Sequence, residues 1–338
     1  MKVVVDVFGG DYAPDEILKG CADALKSEPE VELALFGDAE VINKKLIELS
    51  PDMKRVEVFD APGVVTNDDT PTEAIRSKTD SSLVRALEYL KNNQDAKAMI
   101  SAGSTGAVLT GGLLKIGRIK GVSRPALAPI LPNVRGGSTM LIDCGANVDC
   151  KPLFLCHFAV MGSVHMQSVY GIESPRVALL SNGTEDKKGN ELNKAVFPLL
   201  KKLPINFVGN MEAREALSGE YDVLVTDGFA GNIAMKGIEG AVMYLFKLLK
   251  RTMMSNFKTK LGAALLKKEL YKLKKDLDYT EMGGAPFLGI EKILVKNHGS
   301  AKANTVAASI TQAKRMAEKD IIGTMRKQFE TLVLDIEE

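Results

Sequence analysis

Short apolar segments alternate with segments of helical length along almost the whole chain, and this alternation constrains the fold most. Ten apolar runs are predicted strands: residues 3–5, 31–36, 56–59, 98–100, 126–131, 140–142, 177–180, 205–208, 223–225 and 293–295. Because these runs are nearly continuous in apolar residues, both faces of each strand are expected to be covered by helices. The sequence therefore predicts an α/β fold, a three-layer α/β/α sandwich with a mainly parallel sheet, in a single catalytic domain over residues 1–338.

A glycine-containing turn follows six of the predicted strands. The turns are DVFGGD (6–11), SAGSTGA (101–107), DCGAN (143–147), SNGTEDKKGN (181–190), DGFAGN (227–232) and NHGS (297–300). The carboxyl ends of parallel strands share one edge, where such turns present backbone N–H groups and helix N-termini. A tight strand-to-helix turn explains any one of them. Six together, each with Asp, Asn or Ser, predict an anion-binding site.

Composition and motifs remove several function classes. The chain has 338 residues with 44 Lys plus Arg against 43 Asp plus Glu, so its overall charge does not favour a nucleic-acid partner. The four cysteines contain no CxxC pair and the three histidines no HExxH, so no metal site is predicted. GxGxxG, Walker A and GxSxG motifs are also absent from the sequence, which removes support for common dinucleotide enzymes, NTPases and serine hydrolases.

The placement of apolar residues predicts a cytoplasmic protein. The apolar run after Met1 reaches only to Asp6, which is too short for a signal peptide and is typical of a first strand. Residues 152–172 lack Lys, Arg, Asp and Glu but include His157 and His165. A buried helix is therefore predicted there rather than a membrane span.

Residues 241–278 depart from the alternation. They are predicted to form two helices joined near SNFKTKLG, a basic amphipathic hairpin that projects from the domain. From Lys247 to Lys275 there are ten Lys or Arg and one Glu. Apolar residues crowd the expected tip: Met253, Met254, Phe257, Leu261, Leu265 and Leu266. An apolar tip with basic flanks suits a membrane surface, an acidic protein or a dimer partner.

The glycine-lined edge offers few nucleophiles and one prominent cation, Lys188. It suits a reaction in which the substrate brings its own nucleophile, such as phosphate attacking an activated acyl carbon. The protein then has to position the anion and stabilise the oxyanion, for which N–H groups, Lys and Asn are suited. The turn DGFAGN is predicted to aim Asn232 at the reacting group.

A set of motifs resembles one family in order over nearly the whole chain. The motifs are DxxGGDxAP (6–14), SAGSTGA, RPALA (124–128), DCGANVDCKP (143–152), FAVMGS (158–163), NGTEDKKGN (182–190), VTDGFAGN (225–232), GGAPFLG (283–289) and HGS (298–300). They resemble bacterial phosphate acyltransferases, which are acyl-(acyl-carrier-protein):phosphate transacylases of phospholipid synthesis. The resemblance implies conversion of long-chain acyl-carrier-protein and inorganic phosphate to acyl phosphate and free carrier protein, which feeds the acylation of glycerol 3-phosphate by its acyltransferase. It also implies a fold similar to phosphotransacetylases and isocitrate dehydrogenases, a homodimer, peripheral attachment to the inner face of the membrane, and no cofactor.

The resemblance also implies the site residues. Lys188 and Asn232 match the catalytic positions: Lys188 would neutralise phosphate or the developing oxyanion, and Asn232 would donate a hydrogen bond to the thioester oxygen. The phosphate end would be formed by Gly9, Gly10, Asp11, Ser104, Thr105, Asn147, Asp227 and Gly228, with His298 as a candidate proton donor to the leaving thiolate. One departure is Tyr12, where the family commonly has His.

The hairpin has two implied roles. Lys258, Lys260, Lys267 and Lys268 would steer an acidic carrier protein, while Met253, Met254, Phe257, Leu261 and Leu265 would enter a bilayer. Three alternatives stay open on the sequence: a phosphate acetyl- or butyryltransferase that uses coenzyme A, a metal- and nucleotide-dependent dehydrogenase of the same fold, and a membrane scaffold for lipid-synthesis enzymes.

Overall fold

The computed structural model describes residues 1–277 and 282–332. Within them, two β-sheets are covered by helices. The strands are β1 (Lys2–Asp6), β2 (Glu32–Gly37), β3 (Val56–Asp60), β4 (Ala96–Ser101), β5 (Ala126–Leu127), β6 (Ile130–Pro132), β7 (Ser138–Ile142), β8 (Arg176–Ser181), β9 (Asn206–Glu212), β10 (Val223–Val225), β11 (Ala285–Leu288) and β12 (Ile293–Lys296).

The first sheet has the order β3-β2-β1-β4-β12-β11-β5. Its strands from β3 to β12 are parallel, while β11 pairs antiparallel with both β12 and β5. The second sheet has the order β6-β7-β10-β8-β9 and is parallel except for β6. Strands such as β1 and β10 are buried on both faces, as expected for parallel strands between helical layers.

The helices cover both faces of the sheets. They are α1 (Asp15–Ser27), α2 (Ala39–Leu49), α3 (Pro71–Ser77), α4 (Ser82–Asn92), α5 (Thr105–Gly111), α6 (Pro152–Tyr170), α7 (Glu191–Leu200), α8 (Gly228–Met253), α9 (Phe257–Leu265), α10 (Lys267–Asp276), α11 (Ala303–Glu318) and α12 (Ile321–Thr331). One large core joins residues of both sheets with α1, α6 and α11. A second core lies between the first sheet and α3 to α5, and a third lies under the start of α8. The predicted mainly parallel α/β architecture is confirmed.

Helix α6 confirms the predicted buried helix. From Leu155 to Met166 every residue of α6 is buried. Its buried residues belong to the large core, where α6 packs against β7 and β10. Of the helices in the described part of the chain, none is both long enough and apolar enough to span a bilayer.

The predicted strand at residues 126–131 is wrong as a single element. Its first half is β5 in the first sheet and its second half is β6 in the second sheet. Between them the chain crosses from one sheet to the other at Pro129, which has no N–H group for a continuous ladder. The apolar run is continuous because both halves are buried, so composition did not reveal the crossing.

The predicted two-helix hairpin needs correction as well. Residues 241–253 are the outer half of α8, which starts at Gly228, and the predicted connection SNFKTKLG contains the start of α9. Asn256 caps α9 by accepting a hydrogen bond from the Thr259 amide, while the Thr259 hydroxyl accepts one from the Asn256 amide. This capping box starts a helix where a loop was predicted. Residue 278, the last of the predicted hairpin, lies outside the described residues.

Candidate active site

A cleft of about 840 Å³ lies at the carboxyl ends of strands from both sheets. One wall comes from the turns after β1, β4 and β12 in the first sheet. The other wall comes from the turn after β7 and from the first three turns of α8, which follows β10 in the second sheet. Residues Leu127, Pro129 and Ile130 of the crossing segment line it as well. Glycine-rich turns from two sheets therefore face one another across a shared space.

The first wall depends on close backbone approach at glycines. A Cβ atom on Gly9 would lie 2.5 Å from Asp6 Oδ2 and 2.7 Å from the Gly103 amide nitrogen. Gly10 has a φ of +106°, and its Cβ would lie 2.8 Å from the Ala102 Cβ. The Asp11 amide donates to the Gly299 carbonyl at 2.8 Å. These contacts hold the turns after β1, β4 and β12 together as one wall.

The second wall is organised by the buried carboxylate of Asp143. It accepts hydrogen bonds from the backbone amides of Leu127, Cys144, Ala146 and Asn147 and from the Asn147 side chain. Burial raises the pKa of Asp143, and the hydrogen bonds act in the opposite direction. Since Leu127 belongs to the first sheet and Asp143 follows a strand of the second, this carboxylate also joins the two sheets.

The turn DGFAGN brings α8 against the turn after β7. Asp227 caps the helix by accepting from the Ala230 amide at 2.8 Å. A Cβ on Gly231 would lie 2.0 Å from the Asp143 carbonyl oxygen, and one on Gly228 would lie 2.5 Å from the Asn147 carbonyl oxygen. Only glycine permits this approach, and Asn232 follows directly into the cleft. The glycines therefore determine where Asn232 lies.

Asn232 and Lys236 lie one helical turn apart on α8, and both line the cleft. The Lys236 ammonium is 3.1 Å from Glu239 Oε2 and 3.4 Å from His298 Nε2. On the other side of the His298 ring, Nδ1 lies 2.7 Å from the Ser300 hydroxyl. Desolvation and then Lys236 lower the pKa of His298. The imidazole is therefore predominantly neutral at pH 7.

Lys296 is the buried cation of the cleft. It ends strand β12, is 7% exposed, and donates to the backbone carbonyls of Ala102 and Asn297. Burial lowers the pKa of Lys296 to about 8, although Asp6 and Asp11 favour its charged form. Asp6 is itself buried and accepts hydrogen bonds from Ser82 and Ser101. Lys296 thus carries an ammonium at neutral pH and loses it just above.

Six of the residues predicted from sequence line the cleft: Gly10, Asp11, Ser104, Thr105, Asn232 and His298. Four others support its walls without lining it, namely Gly9, Asn147, Asp227 and Gly228. Asn147 donates its side-chain amide to Pro125 and Asp143, so its hydrogen bonds are structural.

Lys188 is not among the residues that line the cleft. It lies exposed in the turn after β8, the strand beside β10. A Cβ on Gly183 would lie 2.8 Å from Lys188 Cγ, so the turn packs closely around the lysine stem. The structure therefore places Lys188 at the same sheet edge as Asn232 but apart from the cleft lining.

Three lysines of the cleft were missed in the sequence. Lys236 follows Asn232 by four residues on a helix, and Lys296 is the charged end of an otherwise apolar strand. Both positions could therefore have been predicted from the sequence. No sequence pattern marked Lys302, at the start of α11, as a residue of the site. Its ammonium lies 4.2 Å from the centroid of the Tyr12 ring, a cation–π arrangement. Among the described residues that line the cleft, the charged ones are these three lysines and the carboxylates Asp11 and Glu239.

This arrangement can bind an oxyanion and polarise a carbonyl group. Lysines and glycine-turn amides supply donors for an anion, and the Asn232 amide can donate to a carbonyl oxygen that gains charge. Within the described residues, no group of three or more His, Cys, Asp or Glu could hold a metal ion.

Solved structures with the same fold include phosphotransacetylases. Those of Staphylococcus aureus and Streptococcus pyogenes each match with a TM-score of 0.60, at 17% and 16% sequence identity. The matches cover 93% and 94% of this chain and 94% of each matched chain. At this identity the likeness establishes the fold alone. The chain is thus in the α/β class that includes phosphotransacetylases.

Sequence comparison is more specific. Residues 1–324 match the model of a family described as fatty acid synthesis protein. The phosphate acyltransferase of Clostridium novyi is 46% identical over 330 residues, which cover 98% of this chain and 99% of that protein. That of Oceanobacillus iheyensis is 47% identical over 332 residues, with 98% of both covered. The chain belongs to this phosphate acyltransferase family and is an acyltransferase enzyme, which confirms the resemblance found in the sequence.

Proposed function

We propose that the enzyme transfers a long-chain acyl group from acyl carrier protein to inorganic phosphate, in phospholipid synthesis. The observation that carries the proposal is the cleft, in which Lys236, Lys296 and Lys302 converge with Asn232 and three glycine-rich turns. The family assignment supplies the reaction, and the lysines supply a place for phosphate. We also propose that residues 1–338 form a single catalytic domain, from which α9 and α10 project.

The proposed reaction is a direct displacement. A phosphate oxygen attacks the thioester carbon, the carbonyl oxygen becomes an oxyanion, and the C–S bond then breaks to give acyl phosphate and a thiolate. If the attacking species is monohydrogen phosphate, its proton ends on the thiolate, so no external acid is consumed. The enzyme therefore needs to hold phosphate, stabilise the oxyanion and move one proton.

The cleft residues divide these tasks. Lys296 and Lys236 bind phosphate, together with amides of the turns at Gly10 and Ser104. Asn232 donates to the developing oxyanion. His298, neutral at pH 7, takes the proton from phosphate and returns it to the thiolate. Asp11 positions the turn that faces Lys296, because a carboxylate aimed at phosphate would repel it.

Lys188 keeps a proposed role at the sheet edge that it shares with Asn232. Its turn is packed around the lysine stem and lies beside the strand that precedes Asn232. We assign its ammonium to the incoming phosphate. Lys188→Ala is expected to lower kcat/KM for phosphate about tenfold, the effect of one lost charge contact. An unchanged kcat/KM for phosphate in steady-state assays would show that Lys188 has no part in the mechanism. Phosphate binding would then be assigned to the cleft lysines alone.

Asn232 gives the more direct test of catalysis. Asn232→Ala removes one oxyanion donor and is expected to lower kcat by about 10²–10³. The KM for phosphate should change little, since the proposed contact is to the acyl oxygen. Ile233→Ala, the next residue on the same helix and exposed, is the matched control. A large rise in the phosphate KM of Asn232→Ala would instead assign Asn232 to phosphate binding.

Helices α9 and α10 are proposed as the surface for carrier protein and membrane. Phe257 and Leu265 on α9 are 82% and 81% exposed, and the four predicted lysines are exposed beside them: Lys258, Lys260, Lys267 and Lys268. Met254 and Leu261 are also exposed, whereas Met253 is half-buried. Apolar side chains flanked by cations fit an anionic bilayer. We further propose a cytoplasmic homodimer at the inner face of the membrane that passes its product to a glycerol-3-phosphate acyltransferase.

The deciding experiment incubates the purified enzyme with palmitoyl-carrier-protein, with and without inorganic phosphate. Free thiol and hydroxylamine-trappable acyl phosphate should appear together and only with phosphate. Palmitoyl-coenzyme A and butyryl-coenzyme A serve as comparison donors. Equal or faster turnover of butyryl-coenzyme A would assign the enzyme to short-chain transfer, and thiol release without phosphate would contradict the proposed reaction.

A further inference from the structure

A second cavity, of about 330 Å³, lies along α8. Its walls include Leu131, Leu217, Ile238, Val242 and Phe246. On α8 the lining residues recur at positions 235, 238, 242 and 246, which lie on one face of a helix. Glu239 is the one charged residue among the described residues that line this cavity. The cavity therefore suits an apolar ligand with a polar group at one end.

The second cavity adjoins the cleft. Met235 and Glu239 line both spaces. On the opposite wall, Pro129 and Ile130 line the cleft while the next residues along the chain line the second cavity. Glu239 is paired with Lys236, which lines the cleft. The other described residues that line the second cavity are apolar. A ligand with its polar end at Asn232 would have its apolar end here.

We infer that this cavity, the acyl groove, holds the fatty acyl chain of the thioester substrate and of the acyl phosphate product. The inference rests on the proposed function, because it names where the long chain lies while phosphate reacts in the cleft. The alternative occupants are a second copy of this chain and another segment of the same chain. The shared residues Met235 and Glu239 and the otherwise apolar lining favour the acyl chain, because its thioester end would lie in the cleft while its hydrocarbon extends along α8.

The helix gives the groove a measurable length. From Met235 to Phe246 there are eleven residues, or about 16 Å of helix at 1.5 Å per residue. An extended hydrocarbon with bonds of about 1.5 Å advances about 1.25 Å per carbon, so the groove accepts about 13 carbons. Val242 lies about 10 Å from Met235, which corresponds to about eight carbons. A bulky residue there should therefore separate long chains from short ones.

The experiment measures kcat/KM for octanoyl-, palmitoyl- and stearoyl-carrier-protein in three variants of the full chain. Val242→Trp should lower the palmitoyl value at least 100-fold and change the octanoyl value less than threefold, since each excluded methylene costs roughly a factor of four. Phe246→Ala should raise the ratio of stearoyl to palmitoyl turnover by about fourfold or more. Ile47→Trp on α2, 78% exposed and outside both cavities, should change neither profile.

Retained octanoyl turnover in Val242→Trp shows that the variant is folded. An unchanged chain-length profile in both groove variants would overturn the acyl groove. A second contradicting outcome is a change in the oligomeric state of Val242→Trp with an unchanged chain-length profile. That result would identify this face as an interface between copies of the chain.

A binding measurement separates failure of this inference from failure of the proposed function. The chain contains no tryptophan, so Leu217→Trp introduces a single fluorescent reporter into the groove wall. Nitroxide-labelled stearate should quench that reporter, and it should also quench the reporter in a separate Phe246→Trp variant, whose substituted residue lines the same cavity. Quenching without acyl phosphate formation by wild type would keep the groove and refute the reaction. Turnover by wild type without any quenching would refute the groove.

Discussion

At the scale of single residues, the cleft is distinguished by lysines in unlike surroundings. Lys296 is buried between backbone carbonyls, whereas Lys236 is half-exposed and paired with Glu239. Burial lowers the pKa of Lys296 to about 8, so its charge changes close to physiological pH. Its protonation should therefore be visible in phosphate binding.

We expect the apparent KM for phosphate to rise as pH increases above about 8, because Lys296 then loses the charge that attracts phosphate. Lys296→Met should raise this KM by roughly 10- to 100-fold at pH 7, as for loss of a hydrogen bond to a charged group, and should abolish the rise with pH. Lys292→Met at the other end of β12, where the lysine donates to Ala96 and Asn93 carbonyls, is the matched control.

Folding stability should respond to the same lysine with the opposite sign. The folded pKa of about 8 lies below the ordinary value of 10.5, so the unfolded chain binds the proton more tightly. The contribution of Lys296 to the free energy of unfolding therefore increases from pH 8 to pH 10.5. A phosphate KM that rises while the urea midpoint falls over this range would assign the pH effect to unfolding instead of to Lys296.

At the scale of elements, the turns after the strands supply the residues of the site, and glycines allow these turns to pack closely. Sequence patterns located these turns because apolar strands and Gly-Asp or Gly-Asn clusters are local signals. They did not locate β11, where Pro286 and a preceding glycine pair resemble a loop. They also could not assign strands to two sheets, since that assignment depends on contacts between residues far apart in the chain, such as Leu127 with Asp143.

The turn after β1 gives a prediction at this scale. Gly9→Ala places a methyl group against the Asp6 carboxylate and the Gly103 amide, and should lower the free energy of unfolding by about 1–3 kcal/mol. Activity should fall as well, because the same turns form the cleft wall. Gly240→Ala on α8 is the control: its Cβ would contact nothing within 4 Å, so a gain of up to about 1 kcal/mol is expected. Equal urea midpoints for the two variants would contradict the close-packed wall.

At the scale of the whole molecule, helices α8 and α9 connect the candidate active site with the exposed apolar surface. Helix α8 begins at Gly228 beside the cleft, lines both the cleft and the proposed acyl groove, and contacts α9. Its outer half exposes the apolar side chains of Tyr244, Leu245 and Leu248. The proposed acyl groove thus lies along α8, and the proposed membrane surface lies on the adjoining helices α9 and α10.

The membrane proposal predicts a large effect from few residues. Phe257→Glu with Leu265→Glu should weaken binding to anionic phospholipid vesicles at least 100-fold, since each buried apolar side chain contributes roughly 1.5–3 kcal/mol. Ile47→Glu, equally exposed on α2, should bind as wild type does. Vesicle flotation with circular dichroism of all three proteins provides the measurement. Unchanged flotation of the double variant would place the membrane contact elsewhere.

The strand order also has a consequence for synthesis on the ribosome. Strand β4 pairs with β1 on one side and with β12 on the other, yet about 190 residues separate Ser101 from Ile293. At 5–20 residues per second, one edge of β4 waits about 10–40 s for its partner. During that interval the nascent first sheet carries an open, apolar edge of the kind that recruits other strands. A chain of this topology therefore leaves one edge of β4 unpaired until β12, the last strand of the described residues, has emerged.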